Sequence, residues 1–339
     1  MTERESRVLG VGVVGLGVGE QHARAFAAHP DCSVRALHDI DGARAERLAG
    51  EIGARTASSF EEMLDSRDID VVSLASYDDA HFDQVMAALA AGKHVFVEKP
   101  ICRTLDELRR IKERWQSAGG KLKLRSNLVL RGAPLYRWLR GQIESGAFGS
   151  LYAFDGDYLY GRLHKITEGW RRDVGDYSVM EGGGIHVLDL LLWLTGERPV
   201  AVTATGNRIC SRGTDFRFND FAAATLEFDG GLVARISANF GCVHRHQHVV
   251  RVFGTEATLI YDDAGPRLHR SRDPAQGAER LGHDALPPGK GALIPDFVTA
   301  ILEDASDAGE TQSFFDGISI CVAADRAAGS GKREGITYV

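Results

Sequence analysis

Short apolar runs alternate with amphipathic stretches through the first 125 residues, a pattern that predicts a parallel sheet with crossover helices. Val8 to Val14 reads as a buried strand, Glu20 to Ala28 as a helix stopped by Pro30, and Val34 to Leu37 as a second strand. Helices follow at Ala43 to Ile52 and Phe60 to Leu64. Asp70 to Ala75, Val95 to Val97 and Lys121 to Leu124 supply further strands, separated by helical stretches at Phe82 to Ala91 and Leu105 to Ala118.

Beyond residue 125 the texture changes to longer strand-like runs: Leu151 to Tyr160, Val200 to Asn207, Ala222 to Phe228, Leu232 to Phe240 and His248 to Phe253. Glycine turns such as Asp229-Gly230-Gly231 join them, which predicts a mostly antiparallel sheet. One helix interrupts it at Ile185 to Leu194, apolar on nearly every side and therefore buried. The stretch from Asp262 to Gly291, rich in Gly, Pro, Arg and Asp, reads as an exposed, mobile loop. The expected boundaries are 1–125 for an α/β domain and 126–339 for an α+β domain with a large open sheet.

Composition supports two cores, since 339 residues with 44% apolar content exceed what one ordinary core takes up. A formal charge of -7 leaves no broad basic footprint for nucleic acid or an anionic membrane, so an anionic ligand must be met by local basic residues. Five cysteines stand singly, at Cys32, Cys102, Cys210, Cys242 and Cys321, without the spacing of a zinc site or a disulfide framework. The charged start, followed by a short glycine-broken apolar run, fits neither a signal peptide nor a spanning helix, and the expected location is the cytoplasm.

Candidate chemistry begins at Gly15-Leu16-Gly17-Val18-Gly19, between the first strand and the first helix. Glycines there permit a tight turn and bring a pyrophosphate close to a helix N-terminus, as in a Rossmann domain. The third glycine comes one residue early, with Glu20 at the sixth position. Asp39, at the end of the second strand, has the spacing of an acid that binds ribose hydroxyls. Such an acid repels a 2'-phosphate, so the reading favours NAD over NADP, a preference that nearby His38 and Arg44 moderate.

The run Ala91-Gly92-Lys93-His94-Val95, followed by Glu98-Lys99-Pro100, resembles the glucose-fructose oxidoreductase, inositol dehydrogenase and rhizopine-catabolism family. Further landmarks are His22, the segment Ser76 to His81 where the family tends to carry a TPNxxH-like stretch, Asn127, and Gly182 to Asp189, which is similar to the family's GxHxxD helix start. The resemblance implies hydride transfer between NAD and a ring carbon of a sugar, sugar nucleotide or cyclitol. It places Ser76, His81, Glu98 and Lys99 with the cofactor and makes Lys99 a positioning group and proton partner beside the nicotinamide. His186 becomes the general base, because imidazole titrates near neutral pH and the departing hydride leaves a hydroxyl proton to remove. Asp189, three residues on, either orients that ring, satisfies a local polar group or contacts substrate. An open second sheet implies a homodimer or homotetramer.

One position departs from the family: where many members carry Asp or Asn four residues before the histidine, this chain has Gly182. A substitute acid or hydroxyl is open between Asp176, Tyr177 and Tyr160. Tyr160, Arg162, His164, Lys165, Trp170 and Arg171 concentrate aromatic and basic groups just before this helix, and together with Asn127 they form the expected substrate wall for a sugar nucleotide or acidic sugar. His244, His246 and His248 alternate, but no carboxylate or cysteine accompanies them at close spacing, and no metal is expected. Two other readings of the same residues are a non-catalytic dinucleotide-dependent regulator and a nicotinamide-dependent reductase of a non-sugar substrate.

Overall fold

The computed structural model describes residues 7–339, which form two units. The first takes residues 7–129 and is rejoined by 287–314 and residue 339; the second takes 130–286 and 315–338.

In the first unit, Leu9–Val14 (β1), Gly19–Ala27 (α1), Cys32–His38 (β2), Gly42–Ile52 (α2), Arg55–Thr56 (β3), Phe60–Asp65 (α3), Val71–Leu74 (β4), His81–Ala90 (α4), His94–Val97 (β5), Leu105–Ser117 (α5) and Leu124–Ser126 (β6) alternate as expected. The six strands are parallel in the order β3-β2-β1-β4-β5-β6. Every residue of β1 is buried, as a central strand covered on both faces requires. The order reverses beside β1, so the loop after it lies at the topological switch point where α/β ligands bind.

The second unit contains a 3-10 turn at its start (Val129–Gly132), Pro134–Glu144 (α6), Leu151–Leu159 (β7), His164–Thr167 (α7), Trp170–Asp173 (α8), a π-helical turn over Met180–Gly184, and Ile185–Thr195 (α9). Ala201–Asn207 (β8), Phe221–Glu227 (β9), Val233–Asn239 (β10), Gln247–Gly254 (β11), Thr258–Asp262 (β12), Gly265–His269 (β13) and Glu279–Arg280 (β14) follow. Ile294–Leu302 (α10) belongs to the first unit, Ala308–Ser330 (α11) runs through both, and Glu334–Gly335 (β15) closes the second sheet. Nine strands are ordered β14-β13-β12-β11-β7-β10-β9-β8-β15, antiparallel except where β7 and β10 run parallel.

Three expectations need correction. The stretch 262–291 is not one loop, because β13 pairs antiparallel with β12 and β14 pairs antiparallel with β13, which extends the sheet. More than one helix accompanies the sheet: α6, started by Pro134, buries Leu135, Tyr136 and Leu139, and α10 and α11 were not foreseen. The returning segment also gives the first unit part of its core, with Phe297 and Val298 packed among Leu9, Val11, Phe26 and Phe96.

Two buried polar arrangements fix the elements that bear the candidate site. In the first unit, Asn127 donates both amide hydrogens, to Glu98 Oε1 and to the Lys290 carbonyl, each at 2.8 Å. His22 Nε2 lies 3.3 Å from the same carboxylate oxygen, while its Nδ1 is 3.0 Å from Ser73 Oγ. Burial would raise the Glu98 carboxyl, but the hydrogen bond and field of His22, with the charges of Lys290 and Lys99, outweigh it and hold the group at about 2. One ionised side chain thus ties α1, β4, β5, β6 and the returning segment together. In the second unit, Arg131 grips the fully buried Asp189 of α9 with two hydrogen bonds, that from Nε measuring 2.8 Å.

Glu98 is depressed from the usual 4.5, so the stability it confers is present above that value and is lost as pH falls toward about 2. Glu98→Gln is therefore expected to lose less stability than the parent between about pH 5 and pH 3 in denaturant titrations; parallel losses would show that Glu98 carries no such charge. Arg131→Ala strands a buried carboxylate and is expected to cost about 3–5 kcal/mol, most of it recovered in Arg131→Met/Asp189→Leu. A loss under about 1 kcal/mol in urea unfolding would contradict this pairing.

Candidate functional site

Five of the six loops at the carboxyl edge of the parallel sheet carry residues singled out from the sequence. After β1, Gly15 has φ +79, and a Cβ there would stand 2.5 Å from the Ala75 carbonyl oxygen, so this turn admits only glycine. Around Gly17 the space is open, and Val18 at the start of α1 gives no side-chain cap, leaving the first-turn amides to meet an anion. Following β2, Asp39 accepts hydrogen bonds from the Leu16 and Asp41 amides and lies 3.5 Å from Arg44 Nη1. It thereby sets the glycine loop in place, with its carboxylate beside the turn.

Ser76, after β4, donates to Gln84 Oε1 at 2.6 Å. His81 is fully buried, with its ring nitrogen 2.7 Å from the Pro100 carbonyl oxygen. Its place is thus behind the Lys99–Pro100 turn, which it supports, and that peptide bond is cis. Lys99 is half-buried and follows Glu98, whose carboxylate it helps to keep ionised. Asn127, after β6, is buried among Glu98, His22 and Lys290, a supporting position in the first unit.

The conspicuous Lys93 and His94 build the strand and not the site. Lys93 Nζ donates to the carbonyls of Ser66 and Ile69, and burial lowers its proton affinity. Burial also pushes His94 down to about 4, and its ring nitrogen accepts from the Lys123 amide as a neutral imidazole can.

In the second unit His186 stands in the first turn of α9, 4% exposed and stacked on Tyr158 with ring centroids 5.9 Å apart. His248 meets His186 edge-on at 5.7 Å, and His246 lies 5.0 Å from His248. Tyr160 stacks on Tyr158 at 5.7 Å and Phe240 packs against both. This wall extends to Tyr177, which meets Phe240 at 6.2 Å. The π-helical turn, written Met-Glu-Gly-Gly-Gly, permits the approach: a Cβ at Gly183 would collide with the Tyr158 ring, and one at Gly182 with the Tyr177 hydroxyl.

Of the expected substrate wall, Tyr160, Arg162, Trp170 and Arg171 gather here through ring and cation–π contacts. His164 and Lys165 are exposed on the short helix α7. Asp189 is turned to Arg131. His244 parts company with its alternating neighbours and pairs with Asp263 at 2.9 Å. His22, Ser73, Tyr158 and Lys290 were not assigned to the expected site. His22 and Tyr158 carried local signals, the one following the glycine loop and the other two residues from Tyr160; Ser73 lies 3.0 Å from His22 and the Lys290 carbonyl 2.8 Å from Asn127 through contacts distant in sequence.

Residues 9–125 match the model of an oxidoreductase family with an NAD-binding Rossmann fold, and residues 136–260 match the GFO/IDH/MocA C-terminal domain. The chain is 27% identical over 256 residues to inositol 2-dehydrogenase 3 of Saccharopolyspora erythraea, covering 75% of this chain and 73% of that one. It is 28% identical over 283 residues to dTDP-3,4-didehydro-2,6-dideoxy-alpha-D-glucose 3-reductase of Streptomyces antibioticus, covering 82% and 84%. A levoglucosan dehydrogenase solved in complex with NADH shares the fold with a TM-score of 0.85 at 21% identity, over 98% of this chain and 100% of that one. With both of its domains matched, this chain belongs to the glucose-fructose oxidoreductase, inositol dehydrogenase and MocA family of oxidoreductases.

Proposed function

We propose that the protein is an NAD-dependent dehydrogenase or reductase acting at a hydroxyl-bearing ring carbon of a sugar, sugar nucleotide or cyclitol. The observation that carries this reading is the assembly at one sheet edge of the glycine turn, Asp39 and the Glu98–Lys99 pair. The open turn at Gly17 and the uncapped start of α1 fit a dinucleotide pyrophosphate, and Asp39 suits a ribose diol. Bound NAD supplies the hydride acceptor or donor. Relatives named as an inositol dehydrogenase and a sugar-nucleotide reductase support the substrate class.

Oxidation of a secondary alcohol removes one hydride and one proton. His186 is the group we assign to take the hydroxyl proton, and its stack on Tyr158 fixes the plane of the ring. Lys99 holds the substrate oxygen and shares the proton work, while Glu98 behind it balances its charge within the interior. The expected homodimer or homotetramer is part of the same proposal. It is supported by the open face of the second sheet, a groove of about 750 Å³ lined by Asp155, Asp157, Arg235, Ser237, Asn239 and Arg251.

Addition of NAD and a panel of sugars and cyclitols is expected to generate NADH absorbance with at least one compound. His186→Ala and Lys99→Ala should each lower kcat by about 10²–10⁴, with NADH affinity of the His186 variant kept. Turnover untouched in both variants would overturn the roles given to Lys99 and His186, and no turnover with any compound would favour a dinucleotide-dependent sensor. Asp39→Ser is expected to narrow the preference for NADH over NADPH by about tenfold or more, measured by nucleotide fluorescence; an unchanged ratio would remove Asp39 from the ribose site.

A further inference from the structure

Residue 290, on the segment that returns to the first unit, is held by both of its main-chain polar groups. Its amide donates to Gln21 Oε1, in the first turn of α1, at 3.1 Å, and its carbonyl accepts from Asn127 at 2.8 Å. Glycines on either side allow this close approach. A Cβ at Gly291 would stand 2.3 Å from the Ala25 side chain, and one at Gly289 would lie 3.7 Å from Gln21 Oε1. The main chain at 289–291 is thus seated along α1, and the point from which the Lys290 side chain departs is fixed beside the helix that follows the glycine turn.

Lys290 is half-buried, and among the described residues its ammonium takes part in no hydrogen bond or ion pair. Its field reaches the Glu98 carboxylate alongside that of Lys99, so the charge lies toward the carboxyl edge of the sheet. Glu98 already has Asn127 and His22 as close partners. The other cations around the glycine turn are committed. Glu20, which takes the sixth position of the glycine motif in the first turn of α1, is paired with Arg24 at 2.7 Å and Arg47 at 2.8 Å, and Arg44 stands beside Asp39. The uncapped start of α1 amounts to about half an elementary charge, too little for the two charges of a dinucleotide diphosphate. A half-buried cation without a counter-ion costs free energy that such an anion would offset.

We propose that Lys290 is a cofactor-holding residue whose ammonium meets the diphosphate of the bound dinucleotide, with Gln21 and Asn127 positioning it through its main chain. The proposal rests on the NAD-dependent reading of this sheet edge. An ammonium on a flexible stem acts as a point charge that several phosphate oxygens can share. The Asn127 side chain that holds the Lys290 carbonyl also donates to Glu98. One amide therefore supports both the lysine assigned to the phosphates and the Glu98–Lys99 pair assigned to the nicotinamide end.

Calorimetric titration of the full chain with NADH, ADP-ribose and adenosine separates the phosphates from the rest of the cofactor. Lys290→Met, which keeps the apolar stem and both main-chain hydrogen bonds, is expected to weaken NADH and ADP-ribose by about ten- to a hundredfold while adenosine stays within about threefold. The loss should shrink with added salt. Lys290→Arg should recover most of the affinity, and Lys332→Met, at an exposed lysine of the second unit, should bind as the parent does. NADH and ADP-ribose held by Lys290→Met within about threefold of the parent would overturn the proposal. So would a weakening that is equal for adenosine or indifferent to salt, since that is the mark of a structural role. A parent protein that binds neither NADH nor ADP-ribose would defeat the NAD-dependent reading and the proposal with it, whereas tight binding indifferent to Lys290 defeats the proposal alone.

Discussion

A single ionised carboxylate inside the first unit, Glu98, sets the terms for everything around it. Burial of such a charge is costly unless it is hydrogen-bonded, and here Asn127 and His22 both converge on the same oxygen. Because those partners come from β6 and α1, and Asn127 also binds the Lys290 carbonyl, satisfying one charge aligns several chain segments. Lys99 follows Glu98 directly, so the geometry of the candidate proton partner is inherited from that network. The glycine turn has its own constraint, a positive φ and a backbone contact that exclude side chains.

Aromatic packing dominates the second unit in the same way that charge dominates the first. A π-helical turn of three glycines lets Tyr158 and Tyr177 press onto the helix start, and His186 is held by stacking against Tyr158. The absence of a side chain at residue 182 is therefore a packing choice as well as a chemical one. It admits the Tyr177 phenol into the space a side chain at 182 would take.

Much of the first unit was legible in the sequence because buried parallel strands read as apolar runs and their loops carry glycines and caps with local meaning. The glycine turn, Asp39 and the strand ending before Glu98 needed no distant information. What stayed hidden depended on separation along the chain. Asp189 finds its partner 58 residues away, Asn127 finds Lys290 163 residues away, and α10 packs into the first unit from the far end of the sequence. Alternation among His244, His246 and His248 suggested one shared face, but His244 precedes β11 and turns to Asp263, while His246 and His248 join the aromatic wall. A strand pair inside 262–291 was masked by its Gly, Pro and Arg content, and the parallel pairing of β7 with β10 has no local signature.

Hydride transfer itself is the central claim, and isotope transfer tests it most directly. Myo-inositol, glucose and glucuronate deuterated at their ring carbons, each incubated with NAD and the protein, can be followed by mass spectrometry of the nicotinamide. The account predicts deuterium in the NADH formed from at least one of them, lost when His186 is replaced by alanine. NADH without label, or label transfer indifferent to His186, would contradict it.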